Sequence, residues 1–252
     1  MSLLEAKEIS KRFAGINALN QVSLDVNDRE IVGLIGPNGA GKTTFFNCLL
    51  GQLRPDGGTV TFAGRDLVGV PTYARARLGI ARTFQRVELF TGMTPREHFL
   101  IADRVHAGNG ALWKDLLFRG RPTDEERQHA QTMLDSLGLA ADADRTVESL
   151  SLGVGRLVEV GRALMTQPKL LLLDEPSSGL DRVETAELAD NLLKVHRDRG
   201  VAILLVEHDV ELVRNFVERV FVLDFGTLIA SGTTASVFAD EAVRRAYLGD
   251  LV

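Results

Sequence analysis

The stretch EIVGLIGPNGAGKTTFFNCLL, residues 30–50, decides how this chain folds. EIVGLIG, residues 30–36, is a short apolar run that ends in glycine, as a strand buried on both faces does. TTFFNCLLGQL, residues 43–53, suits a helix. Between them GPNGAGKTT, Gly36 to Thr44, matches the pattern G-x-x-x-x-G-K-[ST]. The glycines allow backbone turns that aim successive N–H groups inward. The helix that follows adds the partial positive charge of its N-terminus. Strand, loop and helix in this order make a phosphate cradle, with Gly36, Pro37, Asn38, Gly39, Ala40, Gly41, Lys42, Thr43 and Thr44 as its candidate residues. Lys42 is placed to reach the β- and γ-phosphates of a nucleotide, and the Thr43 hydroxyl to bind Mg²⁺. The motif points to nucleotide binding and does not name a reaction.

Outward from this loop the pattern is one of strands and helices in turn. Residues 3–35 read as short strands, and GGTVTFAGRDL, residues 57–67, as a hairpin with glycine at its turns. From about Pro95 to Gly138 the apolar spacing becomes three and four, with Thr123 ahead of an acidic first turn. Within this region HAGNGALWKDLLFRGRP, residues 106–122, is a loop-like insertion holding the only tryptophan, Trp113. After residue 150 the alternation returns. KLLLLDEP, residues 169–176, and VAILLVEHD, residues 201–209, read as buried strands. AELADNLLKVHRDRG, residues 186–200, and ELVRNFVERV, residues 211–220, read as helices. RVFVLDFGTLIASG, residues 219–232, reads as a final hairpin with Gly226 in its turn. Fully apolar strands alternating with helices indicate a parallel α/β sheet covered on both faces.

The acids that close KLLLLDEP are the next candidates. Ligands of open α/β sheets bind at the carboxyl ends of the strands. Asp174 is placed there to hold Mg²⁺, directly or through water, and Glu175 to act as general base toward a water attacking the γ-phosphate. An isolated Asp-Glu pair would read as a solvated turn; behind four leucines, in a chain with a phosphate loop, it reads as part of a site. His208 ends the next apolar strand, and strand ends of one parallel sheet converge on one crevice. Gln85, in ARTFQRVELF, is a weaker candidate on its own.

Composition bounds these readings. The 252 residues are 45% hydrophobic and 25% charged, which suits a globular protein with a sizeable core. A net charge of −5 argues against a nonspecific nucleic-acid binder, which needs clustered Lys and Arg. One cysteine, Cys48, fits a reducing compartment. No apolar run approaches the ~18 residues of a transmembrane helix, and MSLLEAKEISKRF is charged too soon for a signal peptide.

LSLGVGRLVEVGRAL, residues 150–164, places a serine and a glycine ahead of an amphipathic run. Leu157, Val160 and Leu164 fall on one helical face, and Arg156, Glu159 and Arg162 on another. Ser151 and the N–H of Gly153 sit at the helix start, where an anion is favoured.

Taken in order, these motifs resemble the ATP-binding subunits of ABC transporters over essentially the whole chain. The resemblance implies a P-loop NTPase (RecA-like) α/β core with an antiparallel β subdomain and an inserted α-helical subdomain. It divides a single domain into a core of residues 1–92 and 163–252 and a helical segment of residues 93–162. It makes Phe13 the adenine-stacking aromatic, Gln85 the Q-loop residue that takes part in catalysis and holds Mg²⁺, and 150–154 the signature motif. Asp174 and Glu175 become Walker B, SSGLD the D-loop with Asp181, and His208 the switch histidine. The usual signature is Leu-Ser-Gly-Gly-Gln; Leu152 replaces its first glycine and Val154 its glutamine. Leu152 stands where many relatives carry larger residues, whereas Val154 removes an amide.

Within that family, GIARTFQRVELFTGMTPREHFLIA, ALWKDLLF, LLVEHDVELV and VRRAYLGD resemble cassettes of branched-chain amino acid importers. Urea and amide importers, and a lipopolysaccharide exporter, share much of this pattern. The long segment between Arg104 and Thr123 favours the amino acid importers. A non-transport ABC ATPase fits less well: only 65 residues separate Gln85 from Ser151, with no sustained heptads. The resemblance implies ATP and Mg²⁺ as ligands, and two cassettes closing head to tail, identical or different. It implies integral-membrane permease subunits, an extracytoplasmic solute-binding protein, no nucleic acid, and a cytoplasmic place on the inner face of the membrane.

Overall fold

The computed structural model describes residues 2–83, 87–106 and 122–248. Among these residues the strands form two sheets. The phosphate loop leaves the centre of the larger one. Its order is β10 (Thr227–Thr233), β9 (Arg219–Asp224), β3 (Ile31–Ile35), β8 (Ala202–Glu207), β7 (Leu170–Asp174), β6 (Ile80–Arg82). All pairings are parallel except β9 with β10. β3, β7 and β8 are buried at every residue, as their unbroken apolar runs require.

Successive side chains of these strands point to opposite faces, and two cores result. Val32, Leu34, Leu170, Leu172, Leu204 and Val206 face helix α1 (Lys42–Leu50) and the smaller sheet. That sheet is antiparallel in the order β2 (Ile16–Asn27), β1 (Ser2–Phe13), β4 (Gly57–Phe62), β5 (Arg65–Asp66). Ile31, Ile35, Leu171, Leu173, Ile203 and Leu205 face the opposite core. There lie α3 (Pro95–His106), α4 (Asp124–Ser136), α5 (Leu152–Leu164), α6 (Arg182–Arg199) and α7 (Val210–Phe216). Short α2 (Thr72–Arg77) precedes β6, and α8 (Thr234–Ala239) and α9 (Glu241–Leu248) follow the last hairpin.

Two side chains tie the layers around the loop. Arg219, at the start of β9, donates to Asp25 (2.9 Å) and Glu30 (2.7 Å), joining the two sheets. Buried Arg75 of α2 donates to Cys48 O (3.2 Å) and Leu49 O (2.5 Å), so its guanidinium satisfies the carbonyl end of α1. Burial pushes the Cys48 thiol up to about 11, which keeps it protonated and inert at neutral pH.

Several expectations are corrected. Residues 3–35 are not all short strands: β1 and β2 run twelve residues each, paired through bulges and a two-residue turn at Ala14-Gly15. Both turn residues have positive φ (45° and 91°), which suits the right-handed twist of a hairpin. α7 stops at Phe216 rather than running to Val220, because Val217 is already extended (φ −107°, ψ 149°) and leads into β9. β6 and α2 carry too few residues to register as periodic. On α5 two residues of the charged face are buried. Arg156 and Glu159 are each about 1% exposed and pair at 2.9 Å, because helices and sheet surround α5 on more than its apolar stripe.

α4 begins as expected: Thr123 and Glu126 form a reciprocal capping box. Arg104 pairs with Glu126 at 2.9 Å and fastens α3 to α4. Residues 107–121 of the insertion, Trp113 included, lie outside the described residues.

Candidate active site

The phosphate loop connects β3 to α1 at the sheet's carboxyl edge. Gly36 (φ 155°) and Gly41 (φ 102°) adopt backbone that side-chain-bearing residues avoid. A Cβ on Gly36 would lie 2.1 Å from Leu223 O, and one on Gly41 2.6 Å from Ala18 O. Both sites exclude alanine by backbone contact. The β9–β10 turn buttresses the loop from behind: Gly226 N donates to Ala40 O (2.9 Å) and Asn20 N to Gly226 O (2.8 Å).

The loop borders a cavity of about 350 Å³ lined by Asn38, Gly39, Ala40, Gly41, Lys42, Thr43, Thr44 and Glu175, together with Ile16, Asn17, Ala18, Phe225 and Gly226. Its volume, its glycine-built wall and the basic and hydroxyl groups at the start of α1 fit a nucleotide's phosphates. Lys42 is 6% exposed and its Nζ donates to Gly36 O (2.6 Å) and Pro37 O (3.1 Å). Burial lowers the pKa of its ammonium, against the opposing pull of Glu175, Asp174 and Glu207. Asp174, 7% exposed, ends β7; burial raises its carboxyl, opposed first by Arg82. Thr43 and Asp174 supply hard oxygen atoms of the kind Mg²⁺ prefers.

Glu175 is the first residue beyond β7, and its φ of 47° lies in the left-handed region. That conformation costs about 1 kcal/mol or more in a residue with a Cβ. It is held by Glu175 N donating to Val206 O at 2.9 Å. The side chain lines the cavity, and its Oε2 is 4.0 Å from His208 Nδ1. His208 is half exposed. The strand ends therefore bring the loop, Asp174, Glu175 and His208 to one edge, as expected for a parallel sheet.

Other expected residues lie elsewhere. Ser151, Gly153 and Asp181 are not among those lining the loop cavity. They form a second constellation. Ser151 caps α5, accepting from Val154 N (3.3 Å), and Asp181 caps α6, accepting from Val183 N (2.8 Å) and Glu184 N (2.9 Å). Glu184 joins the two: it accepts from Gly153 N (3.2 Å) and Asp181 N (3.3 Å). Helix α5 starts at Leu152, directly after the capping Ser151. Phe13 ends β1, 44% exposed under the Lys11 ammonium (5.6 Å from the ring centre), and is also absent from the cavity wall. Ile16, its partner across the turn, lines the cavity instead. Gln85 lies outside the described residues.

Sequence reasoning missed Ile16, Phe225, Glu184 and Glu207. Glu207 had a local signal as a third acid at a strand end beside His208, and Glu184 as the acid three residues after Asp181 at a helix start.

Comparison with known proteins gives this arrangement its family. Residues 19–178 match the family model of the ABC transporter, and residues 227–251 that of the branched-chain amino acid ATP-binding cassette transporter. The chain is 43% identical over 251 residues to the high-affinity branched-chain amino acid transport ATP-binding protein LivG of Salmonella typhimurium, covering 98% of each chain. It is 34% identical to the lipopolysaccharide export system ATP-binding protein LptB of Haemophilus influenzae, covering 99% of this chain and 98% of the other. Among solved structures it resembles the ADP conformation of an ATP-binding cassette of an ABC transporter, with a TM-score of 0.86, 32% identity, and 99% and 100% of the two chains covered. Full-length likeness in sequence and fold leaves one assignment: the chain belongs to the ABC transporter family, among its ATP-hydrolysing, nucleotide-binding subunits.

Proposed function

We propose that this protein powers the import of branched-chain amino acids by hydrolysing ATP beside the phosphate loop. The placing of Glu175 on the cavity wall, 4.0 Å from His208, carries the hydrolytic half of this reading. The match of the C-terminal residues 227–251, with the full-length likeness to LivG, supports the substrate class over lipopolysaccharide.

In this reading the loop N–H groups and Lys42 bind the phosphates of ATP, and the exposed rim residues Ile16 and Phe13 meet its base and sugar. Thr43, Asp174 and Gln85 hold Mg²⁺, which neutralises charge on the phosphate oxygens. Glu175 accepts a proton from the attacking water, and His208 orients the γ-phosphate end of the site. The constellation of Ser151, Gly153 and Asp181 serves the ATP of a second cassette, which is why it stands apart from its own loop. That partner, identical or different, closes head to tail on this one. Residues 93–162 act as the helical subdomain and residues 1–92 and 163–252 as the core. Movement passes through Gln85 and the helical segment to permease subunits on the cytoplasmic side. A solute-binding protein delivers the amino acid from outside. Among the described residues no helix is long and apolar enough to cross a membrane, so the path for solute is assigned to the permeases.

The test is Glu175→Gln in the assembled transporter. ATP binding is expected to persist while hydrolysis falls by roughly 10²–10⁴-fold, the usual worth of a general base. Leucine uptake should fall with it. Near-normal ATPase would remove Glu175 from its role; full ATPase coupled to another solute would overturn the substrate class.

A further inference from the structure

Glu207 is the last residue of β8 and 0% exposed. An ionised carboxylate is costly to bury unless its lone pairs are met by donors. Here four donors meet them. One oxygen, Oε1, accepts from Ser177 N (3.0 Å) and from Ser177 Oγ (2.6 Å). The other, Oε2, accepts from His208 N (3.0 Å) and Asp209 N (3.4 Å). Ser177 follows Glu175 by two residues and is itself 8% exposed. The carboxylate therefore pins the loop after β7 with one oxygen and the loop after β8 with the other.

We propose that Glu207 is a positioning residue for hydrolysis, holding the loop that carries Glu175 and the loop that carries His208 in one register. The inference rests on the roles given above to Glu175 and His208. Three features support it. One ring nitrogen of His208 faces two carboxylates, its Nδ1 3.8 Å from Glu207 Oε2 and 4.0 Å from Glu175 Oε2. Any shift of Glu207 changes that spacing. Glu175 has the left-handed φ of 47°, a conformation that persists only where neighbouring contacts over-determine it; the Ser177 anchor two residues on is such a contact. Finally, both oxygens must accept. Glutamine has one acceptor oxygen, so its amide would face either the Ser177 N–H or the N–H groups of His208 and Asp209, donor against donor. One loop would lose its anchor while shape and volume stayed the same.

The experiment uses the full chain. Glu207→Gln is expected to lower kcat by on the order of tenfold or more, the scale of one buried donor left unsatisfied. KM and the affinity for a fluorescent ATP analogue should stay within about threefold, because the phosphate loop is untouched. In a His208→Ala background the same change should cost less than in the parent, since only the Glu175 loop then remains for Glu207 to place. An equal loss in both backgrounds, or a rise in KM matching the fall in kcat, overturns the proposal. Should Glu207→Gln show no cooperative melt, Ser177→Ala decides: it removes one donor, and its loss must likewise be smaller with His208→Ala. If Glu175→Gln and His208→Ala each leave ATPase intact, the site reading fails instead. If those two inactivate and Glu207→Gln does nothing, only the present inference fails.

Discussion

Gly161→Ala sets helix propensity against tertiary packing, and the two predict opposite signs. Gly161 lies inside α5, the helix that starts at the signature residues. Alanine in a helix interior is better than glycine by about 1 kcal/mol, so propensity alone predicts stabilisation. The structure predicts the reverse. A Cβ at Gly161 would lie 2.3 Å from Phe99 Cζ, 2.6 Å from Phe99 Cε1 and 2.7 Å from Leu137 Cδ1. Ordinary carbon contacts are about 3.5–4.0 Å, so two side chains must retreat by about 1 Å. Phe99 and Leu137 are 0% and 1% exposed and packed in the same core. Overpacking of this kind costs about 1–3 kcal/mol. With three close contacts we take the upper end, which leaves a net loss of about 2 kcal/mol after the propensity gain. At about 2.1 cal/mol/K per residue, 252 residues unfold with an entropy of about 0.5 kcal/mol/K, so Tm should fall by about 4 °C. Calorimetry on the purified chain measures this. Adding Phe99→Leu should recover part of the loss, a coupling of about 1 kcal/mol between touching residues. An unchanged or raised Tm for Gly161→Ala would refute the packing argument and leave propensity in charge.

Lys42→Ala should remove binding of a fluorescent ATP analogue while leaving the fold intact; unchanged affinity would contradict the site. Asp174→Asn should abolish hydrolysis yet raise Tm at pH 7. Burial raises the Asp174 carboxyl, so its contribution to stability is full below the ordinary carboxylate range and is lost as pH rises through the raised value. The difference between variant and parent should shrink as pH falls toward 4; a lower Tm for Asp174→Asn at pH 7 would refute it. Val154 is partly buried against the core, leaving no amide at that signature position. Val154→Gln should raise ATPase in the assembled transporter, by a few fold if one charge-assisted hydrogen bond is gained; no change would mean the amide is dispensable here.

How much of this was legible depended on how local each signal is. The phosphate loop declares itself because glycine, lysine and threonine must stand at set spacing on consecutive backbone. Asp174, Glu175 and His208 were legible through a rule of topology: parallel strands present their carboxyl ends along one edge. The capping box at Thr123 needs only four residues and formed as read. By contrast, the burial of the Arg156–Glu159 pair on α5 was not legible, since periodicity finds an apolar stripe but not how many neighbours crowd the rest of a helix. β6, three residues long, was invisible because so short an edge strand owes its existence to pairing with β7.

By itself, then, the sequence determined the order of the longer elements, the parallel sheet and the phosphate cradle, all of which follow from periodicity and from backbone conformations that few residue types permit. Tertiary structure alone decided which groups meet across long separations. It set Ile16 and Phe225 beside the loop, bridged Gly153 to α6 through Glu184, and locked Ser177 to His208 through the buried carboxylate of Glu207. Those contacts depend on where strand ends and helix starts fall in three dimensions. A buried acid finding four donors from two loops is a property of that placement, and nothing in a linear spacing announces it.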